Sequence, residues 1–230
     1  MRSVSEKRAS IQSGELILQS RIVDASNATL IGEIDGIKIV YKPVAGERPL
    51  WDFPDGNLAS REVAAYLISE AMAIHRVPYT ILRDGPFGLG MVQEWIDVDE
   101  DLDLIRYAQS DDQQLRELAL FDAIINNTDR KIGHLLVDKS GFLFGCDHGV
   151  TFHEENKLRT VLWQWRGLPL NDVERKILLD LRDSDLNNAL SELITAREIE
   201  ALNNRIDQLV ETSVFPMPSG DWPAIPWPPV

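Results

Sequence analysis

The order in which strand-like and helix-like segments follow one another is the feature that most restricts the fold of this chain. Five segments in the first part of the sequence combine apolar and β-branched residues in the way expected of strands: 15–23, 29–34, 37–41, 80–82 and 89–96. Asp35-Gly36 lies between two of them and is a hairpin signal. One helix is expected in this region, with Ser60 as its N-cap. Residues 1–96 are therefore predicted to form a strand-rich lobe.

The rest of the sequence is mostly helical in pattern. An acidic connector at 97–103 leads to amphipathic segments that are expected as helices at 111–125, 171–182, 185–194 and 195–210. A short hairpin is expected from 135–137 and 142–145. Residues 97–212 are thus predicted to form a small helical lobe. The whole is an α+β arrangement with a cleft between two lobes, where ligands commonly bind.

Residues 213–230 are expected to form a separate tail. Six prolines follow Val214, and they exclude a regular helix or a central strand. The tail is predicted to be an extended segment that Trp222 and Trp227 lay across the body of the protein.

The composition argues against several classes of partner. The formal net charge is −14, so the surface repels nucleic acid and gives no polybasic grip on anionic lipid. Cys146 is the only cysteine, which rules out an intrachain disulfide framework. The sequence has no apolar signal core and no apolar run long enough to span a bilayer. A cytoplasmic protein without stable membrane insertion is expected.

Two acidic motifs stand at opposite ends of the second-half hairpin. Asp129 follows a helix in Asn127-Thr128-Asp129-Arg130, and Asp147 follows a strand in Asp147-His148-Gly149. Folding the hairpin back brings both carboxylates to one side of a cleft. Phosphoryl transfer uses such a pair, one carboxylate for magnesium and one beside the attacking hydroxyl. Taken singly, each motif is also what a helix stop or a turn would contain.

A lysine and a glutamate in the first half complete the pattern. Lys42 ends a predicted strand, and Glu62 lies in the first turn of the following helix, where it can neutralise the ammonium. Kinases use a strand lysine paired with a helix glutamate to hold the α- and β-phosphates of ATP. Lys42, Glu62, Asp129 and Asp147 in this order are much harder to explain by chance than any one of them.

With these residues in place, the chain resembles the phosphatidylinositol 3- and 4-kinase-like superfamily, in particular a small actinobacterial branch. It is also similar to type II phosphatidylinositol 4-kinases and to kinases of the HipA type. The strings that carry the resemblance are Ile39-Val40-Tyr41-Lys42-Pro43, Arg61-Glu62-Val63-Ala64-Ala65-Tyr66-Leu67, Val77-Pro78-Tyr79-Thr80, Asn127-Thr128-Asp129-Arg130 and Asp147-His148-Gly149.

The resemblance implies a two-lobed protein-kinase-like fold and a set of roles. Asp129, with Lys42 and Arg130, would be catalytic, and Asp147 would bind Mg²⁺ or Mn²⁺. The residues implied in ATP binding are Ser26, Asn27, Lys42, Glu62, Gln93, Glu94, Trp95 and Leu136. Among these, Ser26 and Asn27 would cover the phosphates, and 91–96 would be the hinge beside adenine.

The chain departs from the superfamily pattern at His134. Asn, a second magnesium ligand, is usual five residues after the catalytic Asp. Imidazole matches magnesium poorly and manganese better. His134 is therefore expected to be a metal ligand, a phosphate contact or a packing residue, and the sequence leaves these three open.

Three functions follow from the resemblance. The first is transfer of the ATP γ-phosphate to a hydroxyl of a protein or small molecule, and the second is nucleotide binding without turnover, as in a regulatory pseudokinase. The third is transfer of AMP by a kinase-like site. All three predict ATP binding and differ in whether a product forms and in which one; ATP with Mg²⁺ or Mn²⁺ is the expected cofactor. The acceptor cannot be named from the sequence, although the acidic composition disfavours a lipid.

Overall fold

A computed structural model describes residues 2–22 and 27–230. Its main sheet has five antiparallel strands in the order β1-β2-β3-β5-β4. Their bounds are β1 Leu16–Arg21, β2 Leu30–Ile34, β3 Ile37–Pro43, β4 Thr80–Gly85 and β5 Gly88–Glu94. All five expected strands are present. Asp35 and Gly36 join β2 to β3 with positive φ angles of 51° and 77°, as the hairpin signal predicted.

The two faces of this sheet have different roles. One face carries Ile34, Ile39, Tyr41 and Val92, which form a small hydrophobic core with Ile11. Ile11 belongs to helix α1 (Val4–Ser13), which the sequence analysis did not predict. Apart from Ile11, α1 is polar or exposed, so it gives little apolar periodicity to detect. The other face carries Lys42, which the strand register places opposite Met91 of β5.

Helix α2 (Leu58–Ala71) packs against the Lys42 side of the sheet and against the helical half of the molecule. Its N-cap is Asn57, whose Oδ1 accepts a hydrogen bond of 2.7 Å from the Ser60 amide. The prediction that Ser60 caps the helix is therefore wrong. Ser60 is a buried residue of the first turn, and the cap lies at the end of the preceding loop.

The second half contains five α-helices within the described residues and one hairpin. The bounds are α3 Leu104–Ala108, α4 Gln113–Ile125, β6 Leu135–Val137, β7 Leu143–Gly145, α5 Asp172–Arg182, α6 Leu186–Leu190 and α7 Ala196–Thr212. The larger hydrophobic core lies here and extends to α2. The short helix α3 was not expected; it begins after Asp103, whose side chain accepts from the Arg106 amide at 3.0 Å.

The tail from 213 to 230 contains no helix and runs over the helical half. Ala224 O accepts from the Thr160 amide at 3.1 Å, and Pro229 O accepts from the Ile132 amide at 2.9 Å. The ring of Trp222 lies 4.4 Å from Lys157 Nζ, but Trp227 is 89% exposed. The expectation that both tryptophans anchor the tail thus fails for Trp227, and backbone hydrogen bonds do much of the anchoring. No helix in the described part of the chain combines the length and apolar character needed to cross a membrane.

Candidate functional site

Three charged residues from three separate parts of the chain meet between the main sheet, α2 and the loop after β7. Lys42 Nζ lies 2.6 Å from Glu62 Oε1 and 2.7 Å from Asp147 Oδ1. Lys42 comes from β3, Glu62 from α2 and Asp147 from the loop after β7. The structure therefore brings together the lysine, the glutamate and one of the two carboxylates predicted from the sequence.

Glu62 connects this lysine to the loop of Asp147. Its side chain is 2% exposed, and its second oxygen, Oε2, accepts a 2.8 Å hydrogen bond from the His148 amide. A carboxylate that accepts from an ammonium on one side and an amide on the other is fixed in orientation. Glu62 thus ties the β3 lysine and the 147–149 loop to a single helix.

Asp147 has the features of a ligand-facing carboxylate. Its backbone is left-handed, with φ 61°, and its side chain is 52% exposed although the neighbouring His148 is fully buried. The Lys42 ammonium holds the pKa of Asp147 well below its usual range. Burial alone would lower the pKa of Lys42, but Asp147 and Glu62 outweigh it and raise that pKa. Both groups are therefore charged at neutral pH.

His134 lies on the other side of Asp147. Its Nε2 is 3.4 Å from Asp147 Oδ2, and its Nδ1 accepts from the Lys131 amide at 3.5 Å. Burial lowers the pKa of His134, and the Arg130 guanidinium adds to this, against the opposing effect of Asp147. The ring is thus neutral at pH 7, with the proton on Nε2 when it donates to Asp147. Ligation of a metal through Nε2 would require the other tautomer.

Asp129 sits in a loop that begins where α4 ends. Asn126 closes the helix with a left-handed φ of 52°, and Asn127 Oδ1 accepts from the Asp129 amide at 3.0 Å. The Asp129 carboxylate is partly exposed and has two cationic neighbours. Lys131 Nζ is 3.1 Å from Oδ2, and Arg159 Nη2 is 3.9 Å from Oδ1.

Arg130 was predicted as catalytic, and its side chain is fully buried. Its Nε and Nη2 donate to Asp122 at 3.0 and 2.9 Å, and Nη1 donates to Cys146 O at 3.0 Å. Arg130 therefore connects the Asp129 loop to the Asp147 loop on their buried side. A guanidinium in this position can support the chemistry only by positioning these loops.

His148 completes this buried layer. Its Nε2 lies 2.7 Å from Arg130 Nη2, and because a guanidinium can only donate, Nε2 is the acceptor and Nδ1 carries the proton. Nδ1 faces Glu62 Oε2 at 3.9 Å. Burial, with Arg130 adding to it, lowers the pKa of His148 well below its usual value. His148 is a neutral spacer between two charged groups.

The predicted hinge residues have divergent side chains. Gln93 is buried and donates to Thr80 Oγ1 at 2.9 Å, while Glu94 points to the opposite face of the sheet and pairs with Lys7 at 3.0 Å. The amide of Glu94 donates to Tyr79 O at 2.9 Å, and that of Trp95 donates to Lys38 O at 3.0 Å. The Glu94 side chain therefore lies on the face of the sheet that α1 covers, whereas Gln93 lies on the Lys42 face.

The other predicted nucleotide contacts are placed as follows. Leu136 of β6 is partly exposed, between the buried Leu135 and Val137 that face the core. Asn27 Oδ1 accepts from the Arg48 amide at 2.8 Å. Ser26 lies outside the described residues.

Sequence analysis missed three residues of this region. Lys131 and Arg159 neighbour Asp129, and Asp122 neutralises Arg130. Lys131 had a usable signal, since it stands two residues after Asp129 in the same loop. Asp122 also had one, because an aspartate among apolar residues near the end of a core helix calls for a buried cationic partner. Arg159 had none, because only the tertiary fold brings it to the loop.

Two cavities lie away from Lys42, Asp129 and Asp147. One of about 510 Å³ lies between α1, residues 94–97 and the 138–140 turn. The other, of about 450 Å³, lies between the tail and Ile132. Neither is lined by Lys42, Asp129 or Asp147, so we place the candidate site at the convergent charges. No three His, Cys, Asp or Glu side chains within 2–22 and 27–230 are grouped as a metal cluster would require.

The fold defines the class of protein. The structure is similar to the Golgi casein kinase with Mn/ADP bound (TM-score 0.61, 11% identity, 90% of this chain and 74% of that chain) and to the same kinase in a second crystal structure (TM-score 0.58, 10%, 90% and 73%). It is also similar to the Helicobacter pylori proinflammatory kinase CtkA (TM-score 0.54, 12% identity, 88% and 93%). At such identities the likeness shows the fold, and the protein has the two-lobed kinase-like fold that the sequence predicted.

A sequence comparison shows the family. The chain is 43% identical over 265 residues to Protein Rv2133c of Mycobacterium tuberculosis, covering 97% of this chain and 95% of that protein. The chain belongs to the family of Protein Rv2133c. No protein-family model matches the sequence.

Proposed function

We propose that this protein binds ATP with a divalent metal and transfers the γ-phosphate to a hydroxyl of a protein or small molecule. The observation that carries the proposal is the meeting of Lys42, Glu62 and Asp147 from β3, α2 and the loop after β7. Phosphoryl transfer needs positioned charges more than covalent chemistry. A strand lysine held by a helix glutamate beside an ionised, half-exposed aspartate supplies such charges.

The face of the sheet around Lys42 supports an adenine site. The register puts Val40 on the same face as Lys42 and opposite Ile31, and Ile17 lies on that face of β1 with 56% of its surface exposed. On the face turned to α1, in contrast, Ile34, Ile39, Tyr41 and Val92 are all 0% exposed. Uncovered aliphatic side chains above a cleft suit a flat aromatic base.

In this proposal Lys42 contacts the α- and β-phosphates and releases Asp147 as it does so. Asp147, with an ionised carboxylate, would hold Mg²⁺ or Mn²⁺, which would supply neutralisation of phosphate charge. Asp129 orients the acceptor hydroxyl and accepts its proton. Lys131, 3.1 Å from Asp129, is suited to the transferring phosphate.

The acceptor and the finer family assignment belong to the same proposal. Membership in the phosphatidylinositol 3- and 4-kinase-like superfamily is supported by the motif strings around Lys42, Glu62, Asp129 and Asp147. A protein or small polar acceptor is favoured over a lipid because the net charge of −14 would repel an anionic membrane.

A second function, nucleotide binding with little or no turnover, is favoured by one residue. His134 stands where an oxygen ligand for a second metal is usual in the superfamily, and its Nε2 lies 3.4 Å from Asp147. A site that holds one metal ion can bind nucleotide and turn over slowly or not at all. The His134→Asn variant separates the two, since a gain of magnesium-dependent transfer would assign His134 to the metal shell.

The direct test has two stages. ATP with Mg²⁺ or Mn²⁺ should raise the melting temperature of the wild type, because a ligand bound only to the folded state stabilises it. Lys42→Ala should abolish most of that shift, whereas Lys176→Ala, on the exposed side of α5, should retain it. ATP labelled at the γ- or α-phosphate then shows which group is transferred. A wild-type melting curve that millimolar ATP leaves unmoved with both metals would refute the nucleotide site.

A further inference from the structure

Arg61, the residue before Glu62, links α2 to the far side of the molecule. Its side chain is 2% exposed and forms an ion pair with Glu198, which is 6% exposed, in the first turn of α7. Its Nη2 also donates to Asp55 O at 3.1 Å, and its guanidinium lies 5.1 Å from the ring centre of Phe53. Arg61 therefore contacts the loop before α2 and the C-terminal helix at once.

Glu198 is itself fixed in place. Its Oε2 accepts from the Thr195 amide at 2.9 Å, and its own amide donates to Thr195 Oγ1 at 3.2 Å. This capping box leaves Oε1 for Arg61. Helix α7 in turn packs against α4 and α5, so the pair connects α2 to the rigid part of the helical half.

Consecutive residues on a helix point about 100° apart. Glu62 is therefore directed at Lys42 and His148, while Arg61 is directed at α7. A rotation or shift of α2 that withdrew Glu62 from Lys42 would also separate Arg61 from Glu198. Separating a buried ion pair leaves two uncompensated charges and is strongly unfavourable.

Leu58, the first residue of α2, also packs closely against Gly149 in the loop of Asp147. A Cβ added at Gly149 would come 3.1 Å from Leu58 Cβ. Helix α2 is thus fixed by contacts on two sides, with α7 through Arg61 and with the loop of Asp147 through Leu58.

We propose that Arg61 and Glu198 are positioning residues that hold α2 in the orientation in which Glu62 meets Lys42 and the His148 amide. The expected effect of Arg61 on nucleotide affinity rests on the proposed function, whereas its effect on the orientation of α2 does not. The Lys42–Glu62 pair then forms before any ligand or partner binds. No activator is needed to bring α2 into this orientation.

Hydrogen exchange on the ligand-free protein tests the positioning directly. The His148 amide is bonded to Glu62 Oε2, so it reports whether Glu62 stays in place. In Arg61→Met we expect exchange at His148 to rise at least tenfold under conditions where the protein remains folded. Arg61→Lys, which keeps the charge, should give a smaller rise. If Arg61→Met does not fold, Glu198→Gln serves in its place with the same expected rise.

Arg116→Met is the matched control. Arg116, which is 15% exposed, pairs with the 2% exposed Glu174 at 2.6 Å, between α4 and α5, and its hydrogen bonds go to Glu174 and Pro169. This variant should lose comparable global stability while His148 exchange changes less than twofold. Equal exchange at His148 in Arg61→Met and Arg116→Met would overturn the proposal, because Arg61 would then act on stability alone.

Titration with ADP and Mn²⁺ extends the test to the proposed function. Arg61→Met should weaken affinity about tenfold in the wild-type background and less than twofold in a Glu62→Gln background, because Arg61 acts through Glu62. Equal weakening in both backgrounds would contradict action through Glu62. Failure of the wild type to bind ADP would refute the proposed function, while the exchange result would still decide the positioning.

Discussion

A substitution at Asp122 tests how the loop that carries Asp129 and Arg130 is held in place. The Asp122 and Arg130 side chains are both 0% exposed. Asp122 also accepts from Asn127 Nδ2 at 2.9 Å and from Thr160 Oγ1 at 3.3 Å. Asp122→Asn keeps the size and one acceptor oxygen but removes the charge. Among residues 2–22 and 27–230, the buried Arg130 guanidinium then has no anionic side chain in contact.

The expected cost follows from this burial. Removing one member of a buried ion pair destabilises a protein by about 3–5 kcal/mol, because the remaining charge is uncompensated. For a domain of this length, 1 kcal/mol corresponds to roughly 2–4 °C in melting temperature. Asp122→Asn should therefore lower the melting temperature by about 6–20 °C. Urea unfolding should show a lower midpoint with an unchanged m-value.

An exposed ion pair in the same half of the molecule provides the control. Asp180 lies 2.5 Å from Lys176 one turn away on α5, and both side chains are more than half exposed. Solvent screens such a pair, so Asp180→Asn should cost at most about 0.5 kcal/mol. A loss in Asp122→Asn of less than about 1 kcal/mol would refute the argument, since the Arg130 charge would then be neutralised by something other than Asp122.

Two further predictions concern function and pH. Asp147→Asn should weaken metal-dependent nucleotide binding, whereas Asp129→Asn should leave binding within about twofold and abolish transfer; equal loss of binding in both titrations would contradict the division of roles. His148 has a folded-state pKa far below its unfolded value of about 6.5, so its contribution to stability is complete above pH 6.5. That contribution is lost as the pH falls from 6.5 toward the folded pKa. The free energy of unfolding, measured in urea on the ligand-free protein at pH 7.5, 6.5 and 5.5, should show this decline. In His148→Gln the decline should be smaller. A wild-type free energy that stays constant over that range would show that His148 is not held neutral.

The sequence predicted the regular elements well where their signals are local. The five strands of the main sheet were found because apolar alternation and turn residues such as Asp35-Gly36 act between neighbours. Helix α1 was missed because it is stabilised by its capping box and by one buried residue, Ile11, under the sheet. The N-cap of α2 was misplaced because Ser60 is as good a cap residue as Asn57, and the direction of the incoming loop decided between them.

In the candidate site, too, some features were determined by the sequence and others only by the tertiary structure. The sequence by itself determined the chemical types of four residues and their order along the chain, and the local pattern placed each of them in or shortly after a strand or helix: Lys42 in β3, Glu62 in α2, Asp129 after α4 and Asp147 after β7. Only the tertiary structure decided which of them meet. It joined Lys42 to Asp147, 105 residues apart, and it buried Arg130 against Asp122 so that a residue predicted as catalytic became a link between loops. The physical reason is that ion pairs between distant segments depend on how the helices and the sheet pack, and packing is a property of the whole core that no single stretch of sequence contains.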